Sequence, residues 1–133
     1  MKLVLWDVHK HYGIVKGWLK ERKHIIPDME EFPELGVVAF EDGLPVAAGF
    51  VRMVEGGYGQ IDGLTTSPAA LAPVRHDAIN HIVDKLVDMA QCVGVRQLYA
   101  FTSVASIKER ALAIGMKPAP VSIYVMELES KRH

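Results

Sequence analysis

The longest periodic stretch of the chain lies between Pro73 and Gly94, where apolar residues recur at spacings of three and four. This spacing places them along one side of an α-helix, and that side must face a core. The apolar residues are Ile79, Ile82, Val83, Leu86, Val87, Ala90 and Val93. Pro73 is typical of a first helical turn, and Gly94 is typical of the turn that ends a helix. The pattern therefore predicts a central helix of about five turns.

Strand-like segments lie on both sides of this helix, at residues 58–66 and 96–102. A strand, a helix and a second strand in this order normally form a right-handed crossover between parallel strands. Two earlier strands, 35–40 and 45–53, are separated by Asp42 and Gly43, a dipeptide that favours a two-residue hairpin. The sequence thus predicts a mixed α/β sheet, with antiparallel strands joined to one parallel β-α-β crossover.

Weaker patterns extend this prediction to both ends of the chain. A first strand at 2–6 is followed by Asp7, a good N-cap for a helix at 8–19, and residues 24–34 suit a loop with one helical turn. A last helix is predicted at 102–114, with a capping box from Ser106 to Glu109, and a last strand at 121–128. We expect residues 1–133 to form a single domain, because this length suits one sheet with helices around it.

Composition narrows the function classes. The 15 lysines and arginines against 16 acidic residues give a net charge of -1 without a basic block, so nucleic acid is not indicated as a partner. The apolar run at the start of the chain is too short for a signal peptide or a membrane span, and we therefore expect a cytoplasmic protein. The one cysteine, Cys92, cannot form an internal disulfide, and a buried, inert thiol is the expected role.

The order of elements resembles the acyl-CoA-binding core of the GNAT N-acetyltransferases over nearly the whole chain. The resemblance implies a GNAT-like acyl-CoA N-acyltransferase fold and acetyl-CoA as cosubstrate. In that family a loop with the pattern Q/R-x-x-G-x-G/A, together with the N-terminus of the following helix, holds the cofactor pyrophosphate through backbone N–H groups. The matching residues here are Arg75, His76, Asp77, Ala78, Ile79 and Asn80, so both glycines of the pattern are replaced.

The resemblance also implies how the rest of the cofactor is held. Pantetheine in this family pairs like a strand with the strand before the loop, which corresponds to Leu64, Thr65 and Thr66. Arg75 would supply a charge-assisted contact in place of the lost loop geometry. The alternative is that residues 73–80 are only the first turns of a helix, with Arg75 in solvent, and that the strand end has packing roles alone.

Acetylation of an amine needs a base for the ammonium proton and a donor for the departing thiolate. Asp62 lies on the strand where the family often has a catalytic glutamate, and it is the candidate base, although a solvent-facing strand residue is an equal alternative. The family's usual tyrosine acid is replaced by Ala111. Tyr99 and Tyr124 are the substitutes, each with a core aromatic as its alternative role.

The resemblance implies transfer of an acetyl group from acetyl-CoA to a primary amine of a small molecule or a peptide. Residues 24–34 would form part of the acceptor wall, with a packed surface loop as the alternative. A second hypothesis is a degenerate, non-catalytic GNAT domain that binds a ligand or a protein partner. The six histidines show no spacing typical of a metal site, so no metal is predicted. The pattern also resembles compact GNAT-like proteins of bacteriophages and bacteria, and it allows a homodimer.

Overall fold

The computed structural model describes residues 1–129, which divide into two compact units, Met1–Phe101 and the segment from Thr102 onward. The first unit contains strands β1 (Lys2–Leu5), β2 (Leu35–Glu41), β3 (Leu44–Val54), β4 (Tyr58–Thr66) and β5 (Gln97–Tyr99), helices α1 (Val8–Glu21) and α2 (Ala72–Cys92), and a 3-10 turn (Met29–Glu31). The second unit contains helix α3 (Ala105–Ala113).

The five strands form one sheet in chain order. β1 to β4 pair antiparallel, and β4 pairs parallel with β5 after the crossover through α2. The predicted mixed sheet is therefore confirmed. The hairpin between β2 and β3 also has the predicted form, because Asp42 and Gly43 both have positive φ, 51° and 79°.

Within the first unit, each face of the sheet is covered by one helix. α2 packs its Ile82 and Leu86, both fully buried, against one face, together with buried residues of β2, β3 and β4. α1 packs Val15 and Trp18 against the other face, with Phe50 of β3 beneath them. Asp7 caps α1 as predicted, since its side chain accepts the His9 N–H at 3.0 Å.

β4 contains a bulge that sets its direction. Phe50 pairs with Asp62 and Ala48 pairs with Thr65, so two residues of β4, Gly63 and Leu64, stand opposite one residue of β3. Gly63 has φ +62°, a conformation that glycine adopts without strain. A bulge of this kind bends the strand that carries the extra residue. β4 consequently changes direction after Asp62.

Gly49, the single residue opposite the bulge, allows α2 to pack closely on the sheet. A Cβ at this position would lie 2.6 Å from Leu64 Cδ2 and 2.9 Å from Ile82 Cγ2. Only a residue without a side chain leaves room for both of these groups. Leu64 of the bulge and Ile82 of α2 therefore both occupy space that the missing side chain of Gly49 leaves.

Several predicted details were wrong. Val87 and Val93 are exposed, since they lie at the edge of the apolar side of α2. Cys92 is exposed as well, because it points away from the sheet in the last turn. α3 begins after Val104 without the predicted capping box, and Thr102 Oγ1 accepts the Val104 N–H instead.

The predicted strand at 121–128 is absent from the described residues, where this segment has no regular structure and its side chains are exposed. An alternating pattern predicts a strand only where a neighbouring strand supplies hydrogen bonds, and no ladder includes these residues. Among the helices within residues 1–129, none has the length and apolar character needed to cross a bilayer.

Candidate functional site

The parallel strands separate soon after they meet. Within residues 1–129, β5 pairs with β4 only from Tyr58 to Gln60, whereas β4 continues to Thr66. The bulge at Gly63 and Leu64 lies in the part of β4 that β5 does not pair with, and it bends the strand there. The result is an open strand edge that ends just before α2.

The backbone groups of Thr66 point to this open edge. Ser67 donates its N–H to the Val46 carbonyl at 2.8 Å, and Ala47 pairs with Thr66. Hydrogen-bonded and non-hydrogen-bonded pairs alternate in an antiparallel ladder, so the N–H and C=O of Thr66 turn away from β3. Thr65, one residue earlier, turns its backbone groups toward β3. Of the predicted strand residues, Thr66 therefore offers its backbone on the open side.

Arg22 already contacts this residue. It is the C-cap of α1, and its guanidinium donates from Nη1 to the Thr66 carbonyl and from Nη2 to Thr66 Oγ1, the latter at 3.0 Å. Leu64, by contrast, packs its side chain against the core cluster beneath α2. Arg22 was not predicted, because nothing in the sequence near it indicates a partner 44 residues away.

The N-terminus of α2 lies earlier than the predicted pyrophosphate loop. Leu71 is the N-cap, and the Arg75 N–H already bonds to the Leu71 carbonyl at 3.0 Å. Because Pro73 has no N–H, the backbone donors left at this end are those of Leu71, Ala72 and Val74. Nothing between Pro73 and residue 80 breaks a helix, which is why the predicted loop is helical.

In this placement residues 75–80 belong to helix α2 and do not form a loop. Ala78 and Ile79 are buried in the core against the sheet, so they are inaccessible to a cofactor. Asp77 is exposed, and its carboxylate lies 3.5 Å from His81 Nδ1. His76 is exposed as well, and Asn80 is half-buried further along the helix. Arg75 is half-buried at the end of the first turn of α2.

The candidate base Asp62 lies on the sheet face that α1 covers elsewhere. Its Oδ2 accepts a hydrogen bond from Nε of Arg52 on β3 at 3.0 Å and forms an ion pair with Nη2 of the same guanidinium, also at 3.0 Å. The same Arg52 donates to the Glu31 carbonyl at 3.1 Å, in the 3-10 turn. The structure therefore joins Asp62 to the loop that was predicted to form the acceptor wall. Arg52 was not predicted, although the hairpin between β3 and β4 brings it diagonally beside Asp62.

Tyr99 lies on the same face as Asp62. Arg52 pairs with Gln60, and Gln60 pairs with Tyr99, so the three residues form one row across β3, β4 and β5. Directly paired residues share a face, and Asp62 shares it with Gln60 two positions earlier. Tyr99 is half-exposed, and its hydroxyl donates to Gln97 Oε1 at 3.0 Å. The alternative role of Tyr99 as a core aromatic is therefore wrong.

Tyr124 belongs to the second unit, where its side chain is 93% exposed and outside any strand, so it is not a core aromatic either. Tyr99 is the acid candidate that lies in the first unit, and the proposed acid role of Tyr124 stays a prediction. In the described part of the chain, no group of three histidine, cysteine, aspartate or glutamate side chains could hold a metal ion.

Comparison with solved structures identifies the architecture. AAC(6')-Iy, an aminoglycoside N-acetyltransferase in complex with CoA, aligns over 96% of this chain and 99% of its own, with a TM-score of 0.69 and 15% identity. A ribosomal-protein-alanine N-acetyltransferase from Brucella melitensis biovar Abortus 2308 aligns over 96% and 99%, with a TM-score of 0.67 and 15% identity. A protein from Thermus thermophilus aligns over 98% and 100%, with a TM-score of 0.69 and 14% identity.

The chain has the GNAT fold. No family model matches the sequence, and no curated protein matches it either. At identities of 14% to 15% the likeness concerns the GNAT fold alone.

Proposed function

We propose that this protein is an N-acetyltransferase that transfers an acetyl group from acetyl-CoA to a primary amine. The observation that carries the proposal is the open edge of β4 beside the N-terminus of α2, within a fold that is typical of acetyltransferases. Strand-like pairing needs backbone groups that no neighbouring strand uses, and Thr66 presents such groups.

The cofactor would be held at two places in the first unit. Its pantetheine would pair with the unpaired part of β4, and its pyrophosphate would accept from the N–H groups of Ala72 and Val74. Arg75 would add a charge-assisted hydrogen bond. The residues present fit this role with fewer backbone donors than a glycine-rich loop, because Pro73 has none to give.

Acetyl-CoA supplies an activated thioester, and net transfer converts it and an amine into an amide and a thiol. Asp62 is the residue proposed to take the ammonium proton, through the oxygen that Arg52 leaves open. Tyr99 would return a proton to the thiolate, which requires its hydroxyl to leave Gln97. Arg52 would hold the Asp62 carboxylate in place against the acceptor wall.

The acceptor is proposed to be a small molecule or a peptide with a primary amine. Structures similar in fold include acetyltransferases for an aminoglycoside and for a ribosomal-protein alanine, so both kinds of amine are reasonable candidates. The test is release of CoA thiol from acetyl-CoA in the presence of an aminoglycoside panel and an alanyl-peptide panel. We expect amine-dependent release that falls in Asp62→Asn. Release that is equal without any amine, or unchanged in Asp62→Asn, would refute the proposed chemistry.

A second candidate function is a non-catalytic GNAT domain that binds a ligand or a protein partner. Two observations favour it: Arg22 already engages the Thr66 carbonyl, and residue 111 is an alanine where the family's acid would stand. Calorimetry that detects CoA binding, combined with no thiol release for any amine, would favour this alternative.

A further inference from the structure

The hydrogen bond between Arg22 and the Thr66 carbonyl lies at the position where the proposed function requires a free strand edge. Thr66 turns its C=O away from β3, and in the described residues β5 does not reach it. An unpaired backbone carbonyl needs a donor, and Arg22 provides one from outside the sheet. Its second hydrogen bond, to Thr66 Oγ1, fixes the guanidinium to this one residue.

The position of Arg22 is set by the end of α1. Its backbone N–H bonds to the Trp18 carbonyl, and Lys23 then takes a positive φ of 58° as the chain leaves the helix. A cation at a helix C-terminus is also favoured by the helix dipole. The guanidinium is planar and donates two hydrogen bonds in a fixed direction, so it can hold the carbonyl and the hydroxyl of Thr66 together.

We propose that Arg22 is a gate on the cofactor site, which occupies the Thr66 carbonyl until pantetheine displaces it. The inference rests on the proposed function, since it assumes that pantetheine pairs with β4. Cofactor binding must then break the hydrogen bond from Arg22 before forming its own, and this exchange lowers the affinity for CoA. The gate acts on binding and requires no movement of the sheet.

The gate predicts that removing the positive charge of Arg22 strengthens the binding of CoA. CoA is polyanionic, so the loss of an arginine ordinarily weakens its binding. Arg22→Ala should instead tighten it, by roughly threefold to tenfold, which corresponds to one hydrogen bond that no longer has to be broken. Lys20→Ala is the matched control, because Lys20 lies in the same turn of α1 and its substitution removes the same charge without affecting a contact to Thr66.

A second variant covers the case in which Arg22→Ala does not fold. Thr66→Val keeps the backbone carbonyl and removes the Oγ1 acceptor, so Arg22 loses one of its two hydrogen bonds to residue 66. It should tighten CoA binding by less than Arg22→Ala. Arg22→Lys, with a single ammonium, should also give an intermediate affinity.

The experiment is calorimetric titration of CoA into the full chain and these variants at one ionic strength. Tighter binding in Arg22→Ala and Thr66→Val, with unchanged or weaker binding in Lys20→Ala, supports the gate. Equal affinity of the parent and Arg22→Ala, or weaker binding in Arg22→Ala than in Lys20→Ala, overturns the gate and leaves the proposed function intact. If neither the parent nor any variant binds CoA at millimolar concentration, the proposed function fails as well.

Discussion

Leu86 is the most informative position for the stability of the sheet and α2. Its side chain is fully buried between the helix and β3, where a Cβ on Gly49 would lie 3.2 Å from Leu86 Cδ1. Leu86→Ala removes three carbons, which at ~0.8 kcal/mol per buried methylene is about 2.4 kcal/mol of transfer free energy. The cavity left behind adds to this cost, so we expect a total loss of about 2 to 5 kcal/mol.

Val87→Ala is the matched control, one residue further along the same helix. Val87 is 36% exposed, and alanine is the better helix former, so the two effects nearly cancel. The free energy of unfolding should change by less than about 1 kcal/mol. Urea denaturation followed by circular dichroism measures both variants. Equal losses for Leu86→Ala and Val87→Ala would show that the assigned buried side of α2 is wrong.

Three further predictions concern packing, pH and the cofactor. Gly49→Ala should cost about 1 to 3 kcal/mol in the free energy of unfolding, because the added Cβ would overpack the α2 interface; a normal urea midpoint would contradict this. Burial lowers the pKa of His11 below its ordinary value of 6.5, with opposing effects of Asp7, which raises it, and Lys10, which lowers it. The unfolded chain therefore binds the proton more readily, and stability should fall as the pH drops below 6.5, a dependence that His11→Gln should reduce. Arg75→Ala should weaken CoA binding roughly tenfold to a hundredfold in calorimetry, and an unchanged affinity would remove Arg75 from the site.

The elements that could be predicted from sequence are those with a local cause. The helical period of α2, the hairpin at Asp42 and Gly43, and the Asp7 cap each depend on neighbouring residues. The prediction of a strand at 121–128 was wrong because an alternating pattern does not show whether a neighbouring strand is available to pair with it. The predicted burial of Cys92 and Val87 was wrong for a similar reason, since the width of the buried side of a helix depends on the elements that pack against it.

The candidate site was predicted only in part, because its contacts join distant segments. The two hydrogen bonds from Arg22 to Thr66 join residues that are 44 positions apart in the sequence, and no local sequence pattern predicts them. The pair of Arg52 and Asp62 could have been predicted from the sequence, because the register of the β3–β4 hairpin places the two side chains diagonally across from each other. Residues 75–80, predicted as a loop, are helical, since α2 already begins at Ala72 after its N-cap Leu71.

The most direct test of the account is to locate acetyl-CoA on the protein. Titration into the uniformly ¹⁵N-labelled chain, followed by two-dimensional amide NMR spectra, reports which backbone N–H groups respond. We predict the largest shifts at Thr66, Ala72 and Val74, where the open edge of β4 and the N-terminus of α2 would contact the ligand. No shifts at millimolar acetyl-CoA, or shifts confined to the far edge of the sheet around β1, would contradict the proposed cofactor site.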